Sequence, residues 1–231
     1  MLQHVWERAN MSRYLTKIVI ATDDERIANE ARRFKATVRM TRDDHPTGTD
    51  RVAEVASADN AEYIVNIQGD EPLIDPEAID AVILSVLGDP DVAMGTLKKR
   101  IEMPDEITNP NVVKVVTDHY QNALYFSRHP IPFVREKQDL RASAWYKHIG
   151  LYIYQRELLL GYSSLDPGPL EQLERLEQLR ALENGYKIRV VETEYDSLGV
   201  DTPEDLDKVS QLFRMTEARP LHIEPDLNGD Q

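Results

Sequence analysis

The sequence predicts an α/β fold with a mostly parallel sheet and an antiparallel insertion. Three observations lead there. Short β-branched runs alternate with helical periodicity over the first part of the chain, the pattern of strand–helix–strand units. Between residues 109 and 165 the texture changes to β runs with no long helix between them, which suits an antiparallel excursion. Finally, the β runs 63–67 and 188–192 each lead into an acidic loop. Open α/β sheets bind ligands beyond the carboxyl ends of their strands.

The elements follow in order. Residues 17–21 form a short β run that ends at Thr22 and Asp23. Asp24 is placed to cap a helix reaching Phe34, with Ile27, Ala28, Ala31 and Phe34 on one face. A brief strand at 37–40 leads into a polar loop, 41–48, marked by Pro46 and Gly48. A helix over 51–58 turns Val52, Val55 and Ala56 inward. Asp75, Pro76 and Glu77 have the cap-then-proline order of a helix start, and that helix runs to Leu87. Strands are expected at 92–97, 112–117, 123–127 and 150–154, with a hairpin connection at 118–122. Pro167-Gly168-Pro169 precedes a long helix, 170–184, which Gly185 stops. Its Glu171, Glu174 and Glu177 are expected on a solvated face. Thr202, Pro203 and Asp205 read as a capping box that opens the last helix. The domain reading is one unit over 1–213, with 109–165 as a substrate-binding or dimerisation excursion. The polar tail 214–231, with Pro220 and Pro225, is expected to be disordered.

Composition narrows the partners. With 41% hydrophobic residues among 231, a normal core is expected. There are 27 Lys and Arg against 41 Asp and Glu, a formal net charge of −14. That surface repels polyanions and disfavours nucleic acid, although a nucleotide met by local basic groups and a metal remains open. The absence of cysteine excludes disulfides, thiolate catalysis and zinc–thiolate sites. No signal-like start and no stretch near the ~20 apolar residues of a membrane helix is found, so a cytoplasmic protein without membrane insertion is expected. No Walker loop, dinucleotide glycine motif, nucleophile elbow or HExxH is present, and the histidines show no metal-ligand spacing.

Two carboxylates stand out. In Gln68-Gly69-Asp70-Glu71-Pro72, Gly69 permits close approach of a ligand, Asp70 can coordinate a hard cation and Gln68 offers an amide. In Val200-Asp201-Thr202-Pro203, Asp201 can do the same from a second strand end. From the residues alone, Asp70 could equally be a solvated loop acid, and Asp201 an acid that merely favours a helix start. Thr47-Gly48-Thr49-Asp50-Arg51 opens a helix whose free N–H groups suit an anion or a base edge, or simply a cap. Arg128 and His148, at strand ends, could bind a carboxylate or serve structure.

The series then becomes specific. Thr22-Asp23, Met40-Thr41-Arg42-Asp43-Asp44-His45, Thr47 to Arg51 and the Gln68 to Pro72 loop follow one another as in sugar-activating cytidylyltransferases. Asn109-Pro110-Asn111, Ala123 to Arg128, Lys147-His148-Ile149-Gly150-Leu151-Tyr152, Leu176-Glu177-Gln178 and Val200 to Leu206 continue the order. The chain most closely resembles the 3-deoxy-manno-octulosonate (KDO) cytidylyltransferase family, over nearly all of residues 1–213. The resemblance implies a Rossmann-like nucleotidyltransferase fold, Mg2+ dependence and a homodimer. It implies the reaction of CTP with KDO to give CMP-KDO and diphosphate for lipopolysaccharide biosynthesis. By the same resemblance Asp70 and Asp201 are the metal ligands and catalytic residues. Thr49, Arg51, Gln68 and Gly69 form the nucleotide pocket, and Arg128, His148, Tyr152, Glu177 and Gln178 the KDO side. Arg128 and His148 would hold the sugar acid's carboxylate by charge-assisted hydrogen bonds. A cytidylyltransferase for another sugar acid, such as a nonulosonic acid, and an inactive remnant acting by association are the other readings.

One departure bears on the sheet. Members of that family begin with a buried strand and an Arg/Ser/Gly/Lys-rich loop that cradles the triphosphate, whereas residues 1–10 here match the helix that follows that loop. The expectation is that the runs at 17–21 and 63–67 lack the strand between them. Either their edges stay unpaired, at about 1–3 kcal/mol for each buried group, or the two strands close up.

Overall fold

The computed structural model describes residues 1–136 and 145–217. The chain runs α1 (Leu2–Ala9), β1 (Ile20–Thr22), α2 (Glu25–Arg33), β2 (Val38–Met40), α3 (Gly48–Ser57), β3 (Tyr63–Asn66), α4 (Pro76–Leu87), β4 (Val92–Arg100) and α5 (Pro104–Thr108). It continues through β5 (Lys114–Thr117), β6 (Ala123–Ser127), β7 (Tyr146–Gln155), α6 (Arg156–Gly161), α7 (Pro169–Glu174), α8 (Gln178–Glu183), β8 (Lys187–Glu192) and α9 (Pro203–Glu217).

Strand β7 organises the larger sheet, whose order is β6-β5-β7-β4-β8 with β3 also paired to β7. Along one edge β7 meets β4 over most of its length. Its other edge is divided: β3 takes the half from Tyr152 to Gln155, and β5 takes Tyr146 and Lys147. These pairings are antiparallel, while β4 and β8 pair in parallel. Strands β3, β4, β5 and β8 therefore run the same way, as the parallel frame requires. The antiparallel strand lies between them rather than outside, so the sheet is mixed. The β5–β6 hairpin curls so that Asn122 bridges Arg189 on β8, and the Arg189 guanidinium donates to Asn122 Oδ1 at 3.0 Å.

Alternation along β7 divides the core. Ile149, Leu151 and Ile153 join α1 and α4 on one face, with Ile79, Val82 and Val86. Tyr152 and Tyr154 join Ala56 of α3, Leu158 and Leu159 of α6 and Leu179 of α8 on the other. Helix α4 starts where its cap predicts: Asp75 Oδ1 accepts from Glu77 N at 3.0 Å, with Pro76 in the first turn. Asp80 on α4 is buried and holds the segment after α1, accepting from Ser12 Oγ at 2.6 Å and from Arg13 N at 3.0 Å.

Several expectations change. The run at 17–21 is paired only from Ile20, and β1 forms a separate parallel pair with β2. Among the described residues β1 pairs only with β2, and β3 only with β7, so the two strands do not close up. The helix expected over 170–184 is two helices. Arg175 adopts a left-handed conformation (φ 55°, ψ 47°) between α7 and α8, and Glu183 Oε1 and Oε2 accept from Leu170 N and Glu171 N at the start of α7. Leucines at three-residue steps drift around a straight helix, and the break returns Leu176 and Leu179 to the core. Gly185, at φ 83°, ends α8 as expected. Short helices α5 and α6 carry too few turns to show in the periodicity. Helix α9 continues past residue 214 to Glu217, and the rest of the expected tail lies outside the described residues. No helix among the described residues is long and apolar enough to cross a membrane.

Gly95 marks where α4 presses on the sheet. A Cβ there would lie 2.9 Å from Ile153 Cγ2 and Ser85 Oγ and 3.0 Å from Val86 Cγ1. Gly95→Ala is expected to lower the unfolding free energy by about 1–3 kcal/mol through overpacking, measured by urea denaturation.

Candidate functional site

The loops carrying the two aspartates meet. After β3 the chain turns through Gln68, Gly69 and Asp70, and after β8 it runs without regular structure to Asp201. The Asp70 carbonyl accepts from Val200 N at 3.0 Å. Gly199 lies against Asp70, since a Cβ built on it would stand 4.0 Å from Asp70 Oδ2. The cap of α9 is Thr202, whose Oγ1 accepts from Asp205 N at 3.2 Å while Asp205 Oδ2 accepts from Thr202 N at 3.2 Å. Neither the Asp70 nor the Asp201 carboxylate has a hydrogen bond or ion pair among the described residues. Gln68 and Gly69 are exposed beside Asp70.

A second cluster gathers at the start of α3. Thr47 Oγ1 accepts from Asp50 N at 3.2 Å. Thr49, buried one turn on, donates to Glu177 Oε2 at 3.3 Å. Burial pushes the Glu177 carboxyl up, opposed by the Thr49 hydrogen bond and by Arg180. Arg180 itself is held by Glu171 through Nε at 2.8 Å and Nη2 at 2.6 Å. Gln178 is buried at the start of α8. Arg51 pairs with Asp23 at 2.9 Å and donates to Thr41 Oγ1 at 2.6 Å, which ties the end of β1 and the loop after β2 to α3.

The third group lies on the aromatic face of β7. Ring contacts run from Tyr162 through Tyr154 and Tyr152 to His148 and Phe126. Burial raises the Tyr152 and Tyr154 hydroxyls well above their ordinary range. Tyr152 is the register partner of Asn66, so the aromatic face lies beside the strand that leads to the Asp70 loop. Burial pushes the His148 imidazole down to about 3, so it is neutral near pH 7. Its Nε2 lies 2.9 Å from Thr96 Oγ1, which is also 3.0 Å from the Ile149 and Leu151 carbonyls. The hydroxyl donates to these carbonyls and accepts from Nε2–H, which leaves Nδ1 as an acceptor. With no anion beside it among the described residues, the buried imidazole is held neutral.

Arg128 is a clamp. It donates to the carbonyls of Glu174 at 2.8 Å, Pro110 at 3.0 Å and Arg175 at 3.4 Å, leaving the rest of its N–H fork unused by these bonds. Glu174 accepts from Ser127 Oγ at 2.6 Å and Arg128 N at 2.9 Å. Burial opposes its charge, but these bonds outweigh it and hold the carboxyl below the usual range. Glu171, Glu174 and Glu177 are thus engaged, each with a different element, and do not form the solvated face expected of them. Lys114, fully buried, is a residue that sequence reasoning missed. Its Nζ donates to the carbonyls of Asn109 at 3.0 Å, and of Val112 and Arg128 at 2.6 Å. A lysine set among four valines in Val112-Val113-Lys114-Val115-Val116 was the available signal.

Residues 1–188 match the family described as Cytidylyltransferase. The chain is 69% identical over 214 residues to the 3-deoxy-manno-octulosonate cytidylyltransferase of Solibacter usitatus, covering 93% of this chain and 84% of that one. It is 53% identical over 227 residues to the protein of the same name from Pelobacter propionicus, covering 95% and 89%. A solved structure of CMP:2-keto-3-deoxy-manno-octonic acid synthetase complexed with CTP matches with a TM-score of 0.88 at 39% identity, over 93% of this chain and 88% of that one. A 4-diphosphocytidyl-2C-methyl-D-erythritol synthase from Anaerococcus prevotii, 14% identical with a TM-score of 0.59 over 92% and 88%, shares the fold.

The state of His148 is testable. Its folded pKa of about 3 lies below the ordinary 6.5, so the unfolded chain binds the extra proton between these values. The stability supplied by the neutral ring is complete above 6.5 and is lost as pH falls toward 3. NMR should show no His148 titration between about pH 8 and about pH 5, and the stability deficit of His148→Gln relative to wild type should shrink on acidification.

Proposed function

Because the chain belongs to the 3-deoxy-manno-octulosonate cytidylyltransferase family, we propose that it joins CTP and KDO to give CMP-KDO and diphosphate. The anomeric hydroxyl of KDO attacks the α-phosphorus of CTP, its oxygen forms the new P–O bond, and diphosphate leaves with the bond to the α-phosphorus broken. The observation that carries the reading is the hydrogen bond from Val200 N to the Asp70 carbonyl, which brings two uncommitted carboxylates to the ends of two neighbouring loops.

The donor set suits Mg2+. That ion is usually held by one or two carboxylates, with substrate phosphates and water completing its shell. Among the described residues no group of three or more His, Cys, Asp or Glu offers a fully protein-bound site. Asp70 and Asp201 are the residues that would hold Mg2+, which supplies charge neutralisation at the phosphates when bound. On a chain of net charge −14, an anionic substrate needs such local compensation.

The protein's own groups orient the reactants. Gln68 and Gly69 border the aspartates and are exposed to a nucleotide, and Thr49 with Arg51 forms the adjoining wall at the start of α3. On the sugar side, the unused N–H groups of Arg128 would meet the KDO carboxylate, with the guanidinium already fixed by three carbonyls. His148 Nδ1 would accept from a sugar hydroxyl, and Tyr152, Glu177 and Gln178 would complete the contact surface. Catalysis then rests on orientation and electrostatics. A homodimer and a cytoplasmic place in lipopolysaccharide biosynthesis belong to the same reading.

Asp70→Asn and Asp201→Asn should each lower Mg2+-dependent turnover at least about a hundredfold while circular dichroism stays native. Wild-type rates in both variants would remove the metal assignment. Turnover measured with KDO and with sialic acid should show consumption of KDO; consumption of the nonulosonic acid alone would reassign the substrate.

A further inference from the structure

A buried acid follows Asp70 directly in the chain. Glu71 is only 8% exposed, and its Oε2 accepts from the Tyr195 hydroxyl at 2.8 Å. Burial pushes the Glu71 carboxyl up, opposed by the neighbouring Ser197 and Tyr195 side chains. Tyr195, 8% exposed as well, packs in the core with Ile74 and Leu97. Of two adjacent acids, one is therefore turned inward and occupied, and Asp70 is left without a side-chain partner among the described residues.

The segment from Thr193 to Asp201 has no helix or strand to hold its shape. Side chains do that instead, alternately on two sides. Tyr195 and Ser197 point in to Glu71. Asp196, between them, is paired with Lys147 at 2.9 Å and Lys99 at 3.4 Å, and Lys99 Nζ donates to the Glu194 carbonyl at 3.0 Å. Lys147 is fixed in turn by Glu106 at 2.6 Å. Beyond Ser197 the next tie is Val200 N to the Asp70 carbonyl. The loop bearing Asp201 is thus fastened to the loop bearing Asp70 twice, once through Glu71 and once through the backbone of Asp70 itself.

We propose that Glu71, Tyr195 and Ser197 are positioning residues that set the separation of Asp70 and Asp201. The role rests on the metal reading given above. Carboxylates that share one small cation must be held within a narrow range of separation, and a loop with backbone bonds only near its two ends, at Thr193 and Val200, relies on side-chain ties between them. Glu71 does not itself touch the ion or the substrates in this arrangement.

The test uses the full chain with Tyr195→Phe, which removes the donor and keeps the ring, and Glu71→Gln, whose amide oxygen still accepts from Tyr195. Two quantities are read: the Mg2+ concentration giving half-maximal turnover, and the amide exchange rate of Val200 without metal or nucleotide. Tyr195→Phe should raise the half-saturating Mg2+ about tenfold, the equivalent of one hydrogen bond to a charged group, with KM for the sugar acid unchanged. Val200 exchange should accelerate more than that of the core amide of Ile153, and Glu71→Gln should stay near wild type in both readouts. Equal acceleration at Val200 and Ile153 would mean a general core defect and overturn the role. So would wild-type Val200 exchange in Tyr195→Phe. A wild-type protein with no Mg2+-dependent turnover would overturn the metal reading instead, and Val200 exchange would still decide the positioning role.

Discussion

The structure depends on one divided edge. Strand β7 has a full-length neighbour in β4 but two half-length neighbours, β3 and β5, on its other side. A strand whose partner changes midway must satisfy its backbone groups at the change. Here His148 N donates to the Val113 carbonyl at 2.8 Å just before β5 pairing begins. On the β4 side, a register shift between Gly95 and Leu97 leaves Thr96 to reach the Ile149 and Leu151 carbonyls with its hydroxyl. The same hydroxyl fixes the His148 ring. One irregularity in the ladder therefore both completes the sheet and orients a side chain of the candidate site.

From that strand the two faces acquire different work. The aliphatic face packs against α1 and α4. The aromatic face, with Tyr152 and Tyr154, meets α3, α6 and α8, where Thr49 of α3 donates to Glu177. Cations on this side are not free surface charges. Lys114 places its three donors, and Arg128 three of its five, on backbone carbonyls at irregular turns, where helix and strand ladders leave acceptors unpaired. Removing Arg128 would unsettle Pro110 and the α7–α8 break together, since it holds the carbonyls of Pro110, Glu174 and Arg175, whereas Lys114 holds those of Asn109, Val112 and Arg128 itself.

The pair β1–β2 stands apart from the larger sheet, joined to it through α3. Arg51 carries much of that join, with Asp23 and Thr41 as its partners. Strand β3 likewise has its only described partner in β7. The loops at the carboxyl ends of β1, β2 and β3 therefore owe their relative placement to side chains rather than to a continuous ladder, the same condition as the loop before Asp201.

Local chemistry determined much of this on its own. The caps at Asp24, Asp75 and Thr202, the stop at Gly185 and the hairpin at Asp118 to Asn122 depend on neighbours a few residues away, so they are legible in the chain. The succession of motifs was legible too, and with it the family. What only the tertiary structure decided are the long-range choices: the insertion of β7 between parallel strands, the break at Arg175, the burial of Lys114 and the inward turn of Glu71 toward Tyr195. These depend on how segments far apart in the chain pack together, and neither periodicity nor composition encodes which acid of an adjacent pair faces the core. Burial and hydrogen bonding settle that choice only once the chain has closed on itself.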